Sequence, residues 1–191
     1  MNTLEAIKER RSIRIYKQEP IPDEVLKGIF EHTILAPSAH NNQPWQFIIL
    51  QRESKEEFVK ILEEKYRSLT AQGIRPGYLK QSIGCIKRAP VFALVLNTKE
   101  QFAGSLEKSS QIYEWMLNLQ SLGGAIQTML LAAQEYGIGS LWTCEILYAD
   151  PEITAWLQTD YELIGGVCLG YADEDPKARP RMGLDEVLKW M

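Results

Sequence analysis

The chain has 191 residues, 45% of them hydrophobic and 24% charged, the balance of a globule able to bury a core as one domain over 1–191. Its 21 Lys and Arg against 25 Asp and Glu leave a net charge of −4, which argues against a general nucleic-acid binder. No apolar run approaches the roughly 18 residues of a membrane-spanning helix, and MNTLEAIKERRSIR lacks the apolar core of a secretory signal, so no membrane association and a cytoplasmic location are expected.

Residues 3–10 read as a short amphipathic helix with Leu4 and Ile7 on one side. After Pro20-Ile21-Pro22, Asp23 is expected to cap a helix running to about Leu35, with Val25, Leu26, Ile29, Phe30 and Ile34 at helical spacing. Residues 36–44 (APSAHNNQP) form a loop by their Pro and Asn content. WQFIIL (45–50) reads as a strand, 55–69 as a largely exposed helix, 73–77 as a Gly/Pro loop and 78–87 as a weak helix.

PVFALVLN (90–97) is the continuous apolar run of a strand covered on both faces. From Gln111 to Tyr136 runs the longest periodic segment, apolar on most sides and therefore expected to be buried, with Gly123 and Gly124 allowing close approach at its middle. Residues 140–144 form a short strand, Asp150-Pro151 opens a helix, 161–171 is a further strand, and Leu184 to Met191 a final short helix. Mingled strands and helices predict an α+β layered domain around a small sheet.

Familiar catalytic signatures are absent. The glycines of GGVCLG (165–170) are followed by Tyr171 and Ala172 where a P-loop needs Lys and Ser/Thr, and Gly137-Ile138-Gly139 meets Trp142 where a dinucleotide fingerprint needs its third glycine. There is no HExxH or GxSxG, and the only histidines are His32 and His40, so no histidine triad is expected and His32 reads as a surface residue. Cys85, Cys144 and Cys168 are scattered without a CxxC pair, which suggests neither a disulfide framework nor a metal site.

Local charge carries more. Lys8, Arg10, Arg11 and Arg14 fall within seven residues, with Ser12 among them, and Lys177, Arg179 and Arg181 follow the last strand. Two readings stand. The planar guanidinium forks and a hydroxyl could converge on one phosphomonoester, or the cations could simply answer the dipole at a helix C-terminus. The 37–45 loop is likewise either a rigid rim of hydrogen-bonding groups or a solvated turn.

These residues also carry a resemblance over essentially the whole chain. ERRSIR (9–14), APSAHNNQPWQF (36–47), GAIQ (124–127) with LAA (131–133), GIGSLW (137–142), and Gly170-Tyr171 followed by Arg179-Pro180-Arg181 occur together in the order and spacing of the nitroreductase family. The resemblance implies a three-layer α/β/α form of the α+β class, with a central mixed sheet flanked by helices and the long buried helix at a dimer interface. It implies a homodimer with two FMN sites, each built from both chains. Arg10, Arg11, Ser12 and Arg14 match the stretch that binds the FMN phosphate and ribityl chain, and Arg179 and Arg181 match the cations that complete the phosphate site. Pro37, Ser38, Ala39 and Asn41 match a loop that lines the flavin from the other subunit, and Trp142, Thr143 and Cys144 the segment passing its reactive edge, where a backbone N–H faces flavin N5.

Some members contact the ring from an asparagine and a lysine ahead of the 90–97 strand; here Ser82 and Cys85 stand nearby, and those contacts stay unassigned. The implied function is reduction of nitroaromatics, quinones or similar electron-poor acceptors at the expense of NAD(P)H by a ping-pong mechanism, with no catalytic side chain and no metal required. The alternatives are a more specialised flavin enzyme of the same family (dehalogenase, enoate or flavin reductase) or a flavin-binding protein without turnover. Cys144 is expected to be a small packed side chain rather than a reactive thiol.

Overall fold

The computed structural model describes residues 2–99 and 109–191. In chain order these form α1 (Thr3–Glu9), α2 (Asp23–Thr33), β1 (Trp45–Gln51), α3 (Arg52–Ala71), α4 (Leu79–Arg88), β2 (Val91–Asn97), α5 (Ser109–Glu135), β3 (Gly139–Thr143), α6 (Asp150–Leu157), β4 (Glu162–Gly170) and α7 (Leu184–Val187). The strands lie in the order β1-β2-β4-β3. Phe47 stands opposite Val95, Ala93 opposite Val167, and Val167 opposite Trp142, so each pair of strands runs antiparallel. The parallel component of the expected mixed sheet is a single bridge, Ser12 to Ser140, at the outer edge of β3.

All seven residues of β2 are buried, as its unbroken apolar run requires. Side chains alternate across a strand, so Phe92, Leu94 and Leu96 face a core built with Phe58 and Leu62 of α3, Ile83 and Ile86 of α4, and Ile153 of α6. Val91 and Val95 face a second core with Leu26 and Ile29 of α2 and Leu122, Ile126 and Met129 of α5. Helices therefore cover both faces of the sheet, giving the three layers.

Three local expectations are corrected. Asp23 does not cap α2: Pro22 holds the cap position without a side-chain bond, and Asp23 lies inside the first turn with Glu24. There both carboxylates still answer the helix dipole. The C-terminal helix is confined to Leu184–Val187, because no apolar stripe of the tail finds a surface to pack on and Leu184, Trp190 and Met191 stay exposed. Nor is α5 buried all round within one chain. Leu122, Ala125, Ile126, Met129 and Ala133 are buried, but Tyr113 and Met116 are exposed, and a methyl group added at Gly123 or Gly124 would meet nothing within 4 Å.

Candidate functional site

The N-terminal arginine stretch is held by backbone pairing. Ser12 bridges Ser140, and the Ile13 N–H donates to the Ser140 carbonyl at 2.9 Å, which lays residues 12–13 along the free edge of β3. The chain then crosses to the segment after β4: Lys17 N–H donates to Tyr171 O at 2.9 Å, and Asp173 N–H to Ile15 O at 3.0 Å. The Glu174 carboxylate accepts from the N–H groups of Arg14 and Ile15. These bonds draw the start of the 173–181 tail toward the N-terminal arginines.

The consequence is electrostatic. Burial, then Arg11, then Arg181 push the Arg10 guanidinium below its ordinary pKa, so the two basic clusters feel one another in the folded chain. Among the described residues the ion pairs are Lys27–Glu31, Lys65–Glu152 and Lys87–Glu63, and none neutralises Arg10, Arg11, Arg14, Arg179 or Arg181. Arg11 and Arg14 instead donate to the backbone carbonyls of Lys8, Arg10 and Ser12. Guanidinium groups free of side-chain ion pairs suit an anion; Arg10, Arg11 and Arg14 are partly buried, while Arg179 and Arg181 are exposed.

Beside them opens a pocket of about 320 Å³. Arg14 and Arg179 line it together with Leu141, Trp142 and Thr143 of β3, Glu145 from the turn that follows, and Tyr78, Gln81, Ser82 and Cys85 around α4. Of the expected site residues, Arg14, Trp142, Thr143 and Arg179 thus share one cavity, and Arg10, Arg11 and Arg181 share one field. Ser12 is pinned at the neighbouring bridge to Ser140, whose buried hydroxyl has no hydrogen-bond partner. Cys144 is adjacent in sequence but absent from the pocket lining, and it is exposed rather than packed as expected. Partial desolvation nevertheless pushes its thiol up, an indole hydrogen bond from Trp142 only partly opposing this. An activated thiolate needs the opposite shift.

The 36–44 loop stands apart. Ala39 N–H donates to Ser121 Oγ of α5 at 3.1 Å, and Gln43 N–H to Ser38 Oγ at 3.0 Å. His40, Asn41 and Gln43 all adopt left-handed backbone conformations, with φ of 52°, 55° and 46°. The loop is therefore rigidly shaped, but Pro37, Ser38, Ala39 and Asn41 line no part of the arginine pocket of their own chain. His32 is exposed as expected, its Nδ1 lying 2.6 Å from Gly28 O.

A larger cleft, of about 630 Å³, lies between the first turns of α3 and residues 18–23. It contains none of the expected residues, and its Arg52, Lys55, Lys60 and Lys87 are matched by Glu19, Asp23, Glu56 and Glu63. That balance gives no net attraction for an anion, so the smaller cationic pocket is the functional candidate. Sequence reasoning missed Tyr78, Gln81 and Glu145 there; the one available signal was that Glu145 directly follows the 142–144 segment.

An antiparallel sheet between two helical layers, with an arginine cluster free of side-chain ion pairs at its β3 edge, is an α+β architecture. The model of the nitroreductase family matches residues 7–171, and the chain belongs to that family. A protein of Methanothermobacter thermautotrophicus, named as a candidate NADH dehydrogenase/NAD(P)H nitroreductase, is 32% identical over 75% of this chain and 61% of its own length. This chain thus spans less than two thirds of that relative. A candidate NAD(P)H nitroreductase of Bacillus subtilis strain 168 is 26% identical over 92% of this chain and 87% of its own. Among solved structures, a candidate nitroreductase from Desulfovibrio desulfuricans in complex with FMN is similar over 100% of this chain and 97% of its own, with 27% identity and a TM-score of 0.76.

Proposed function

We propose that the protein is an FMN-dependent oxidoreductase that uses NAD(P)H to reduce nitroaromatics, quinones or similar electron-poor acceptors. The observation carrying this reading is the backbone pairing that joins residues 12–17 to β3 and to the segment after β4, and so sets Arg14 and Arg179 in one pocket with Trp142, Thr143 and Ser82. The donor set fits FMN: guanidinium forks for the phosphate, an unpaired buried hydroxyl at Ser140 nearby, and an apolar and polar wall large enough to take part of a flat ring.

In this reading Arg10, Arg11, Ser12, Arg14, Arg179 and Arg181 hold the phosphate and ribityl chain, while the Trp142–Cys144 segment flanks the ring. Bound there, FMN supplies the redox chemistry, and the protein supplies orientation and electrostatics. NAD(P)H and the acceptor use the same open face in turn, which makes the kinetics ping-pong. The chain works as a homodimer, with Pro37, Ser38, Ala39 and Asn41 reaching the ring of the other subunit. Their distance from the arginine pocket of their own chain supports that assignment, as does the open face of α5 around Gly123 and Gly124.

The test is an absorbance spectrum of the purified protein before and after NADH or NADPH is added without oxygen. Flavin bands near about 370 and 450 nm that bleach on addition are expected. Flavin that stays oxidised with both nucleotides sinks the NAD(P)H assignment. A colourless protein that cannot be reconstituted with FMN sinks the cofactor assignment as well.

A further inference from the structure

One polar cluster in the pocket is left without a task by this reading. Thr143 and Ser82 are both buried, and their hydroxyls lie 3.0 Å apart. Glu145 Oε2 accepts from Thr143 at 3.2 Å and from Ser82 at 3.5 Å. One arrangement satisfies all three groups: Thr143 donates to Ser82, and Ser82 donates to the carboxylate. The cluster ties three elements together, α4 through Ser82, the end of β3 through Thr143, and the turn after it through Glu145.

From behind, the same segment is pressed onto β4. A methyl group at Gly165, whose φ is +156°, would lie 3.1 Å from the Thr143 carbonyl and 3.4 Å from the Trp142 indole nitrogen. Residues 142–144 are therefore fixed on one side by Gly165 and on the other by Glu145. Glu145 is also the only carboxylate lining this pocket among the described residues, at a site whose other charges are Arg14 and Arg179.

We propose that Glu145 is a positioning residue that braces the Trp142–Cys144 segment through Ser82 and Thr143 and places a negative charge beside the ring of the bound flavin. The proposal rests on the flavin reading above. A fixed carboxylate opposes the gain of electrons on a neighbouring ring, so it lowers the midpoint potential of the bound cofactor and makes the reduced form a stronger donor to the acceptor. Ser82 then takes part through its hydroxyl, as a link in the brace.

Glu145→Gln separates the two parts of the role, because the amide oxygen still accepts from the Ser82 hydroxyl, and through it stays linked to Thr143, while the charge is gone. FMN titration by fluorescence quenching and dye-equilibrated reductive titration are to be run on the parent, Glu145→Gln and Glu145→Ala. The Gln variant is expected to keep FMN affinity within about threefold and to shift the midpoint potential to more positive values. The Ala variant is expected to show the same direction of shift and to weaken FMN about tenfold, the loss of one charge-assisted brace. Should Ala fail to fold, Thr143→Val replaces it and is expected to weaken FMN with the potential unmoved. An unchanged potential in the Gln variant, or unchanged affinity in the variant lacking the brace, overturns the proposal. A parent that binds no FMN overturns the flavin reading itself, which keeps the two failures apart.

Discussion

Arg10 and Arg181 stand at opposite ends of the chain, yet Arg181 bears on the charge of Arg10. If their shared field exists to hold a phosphate, neutralising both removes two charge-assisted contacts at about 1.5–3 kcal/mol each. The Arg10→Ala, Arg181→Ala double variant is expected to lose FMN affinity by two orders of magnitude or more, roughly, while keeping its far-UV circular dichroism. Stoichiometric flavin surviving gel filtration of that variant would remove the phosphate assignment.

A second residue-scale expectation concerns Asp150, one of whose carboxyl oxygens is buried without a partner. Burial, then Glu162 and Glu152, raise its pKa above the ordinary aspartate value. The folded state thus binds this proton more tightly than the unfolded chain does. Its contribution to stability is present below the unfolded pKa and is lost as pH rises through the folded one. Asp150→Asn is accordingly expected to raise the melting temperature at pH 7, and the gain is expected to shrink toward about pH 4. A gain independent of pH would mean that packing, not charge, is responsible.

At the scale of elements, β2 and β4 hold the molecule together because both lie inside the sheet. Their fit is tight at one point. A methyl group built on Gly166 would come 2.3 Å from Cζ of Phe92, whose ring stacks on Phe58 with centroids 5.3 Å apart. Gly166→Ala forces this core to shift, and overpacking of this kind costs about 1–3 kcal/mol. A lowered midpoint in urea is expected, with Phe92→Leu in the same background recovering part of the loss. Equal stability of Gly166→Ala and the parent would show that the Phe92 ring moves aside freely.

Most elements were legible because their signals are local. The unbroken PVFALVLN run specified a strand buried on both faces, and Asp150-Pro151 marked the start of α6. The start of α2 was legible but its cap was not, since Pro22 supplies the geometry without any side-chain bond. The tail beyond Leu184 was overread as a longer helix, because periodicity alone stabilises little when no surface is there to cover it.

At the scale of the whole molecule the open face of α5 is the telling feature. Tyr113 and Met116 are exposed on it, and the space beside Gly123 and Gly124 is empty for 4 Å. In the homodimer proposed above, a second chain fills that space. A Cβ at Gly124 meets nothing within 4 Å of its own chain, and Gly124→Trp is expected to give a folded species of half the mass by light scattering, with FMN lost in parallel. An unchanged dimer mass would move the interface to another face.

The chain by itself determined the order and type of its elements, its two basic clusters and its family motifs, because each is written in neighbouring residues. Only the tertiary structure decided that residues 12–17 run from the edge of β3 to the segment after β4, and so bring the clusters into one field. It alone gathered Ser82, Thr143 and Glu145, and it alone decided which side of α5 is covered. Such meetings depend on strand pairing and helix packing between distant segments, which local periodicity and spacing do not encode.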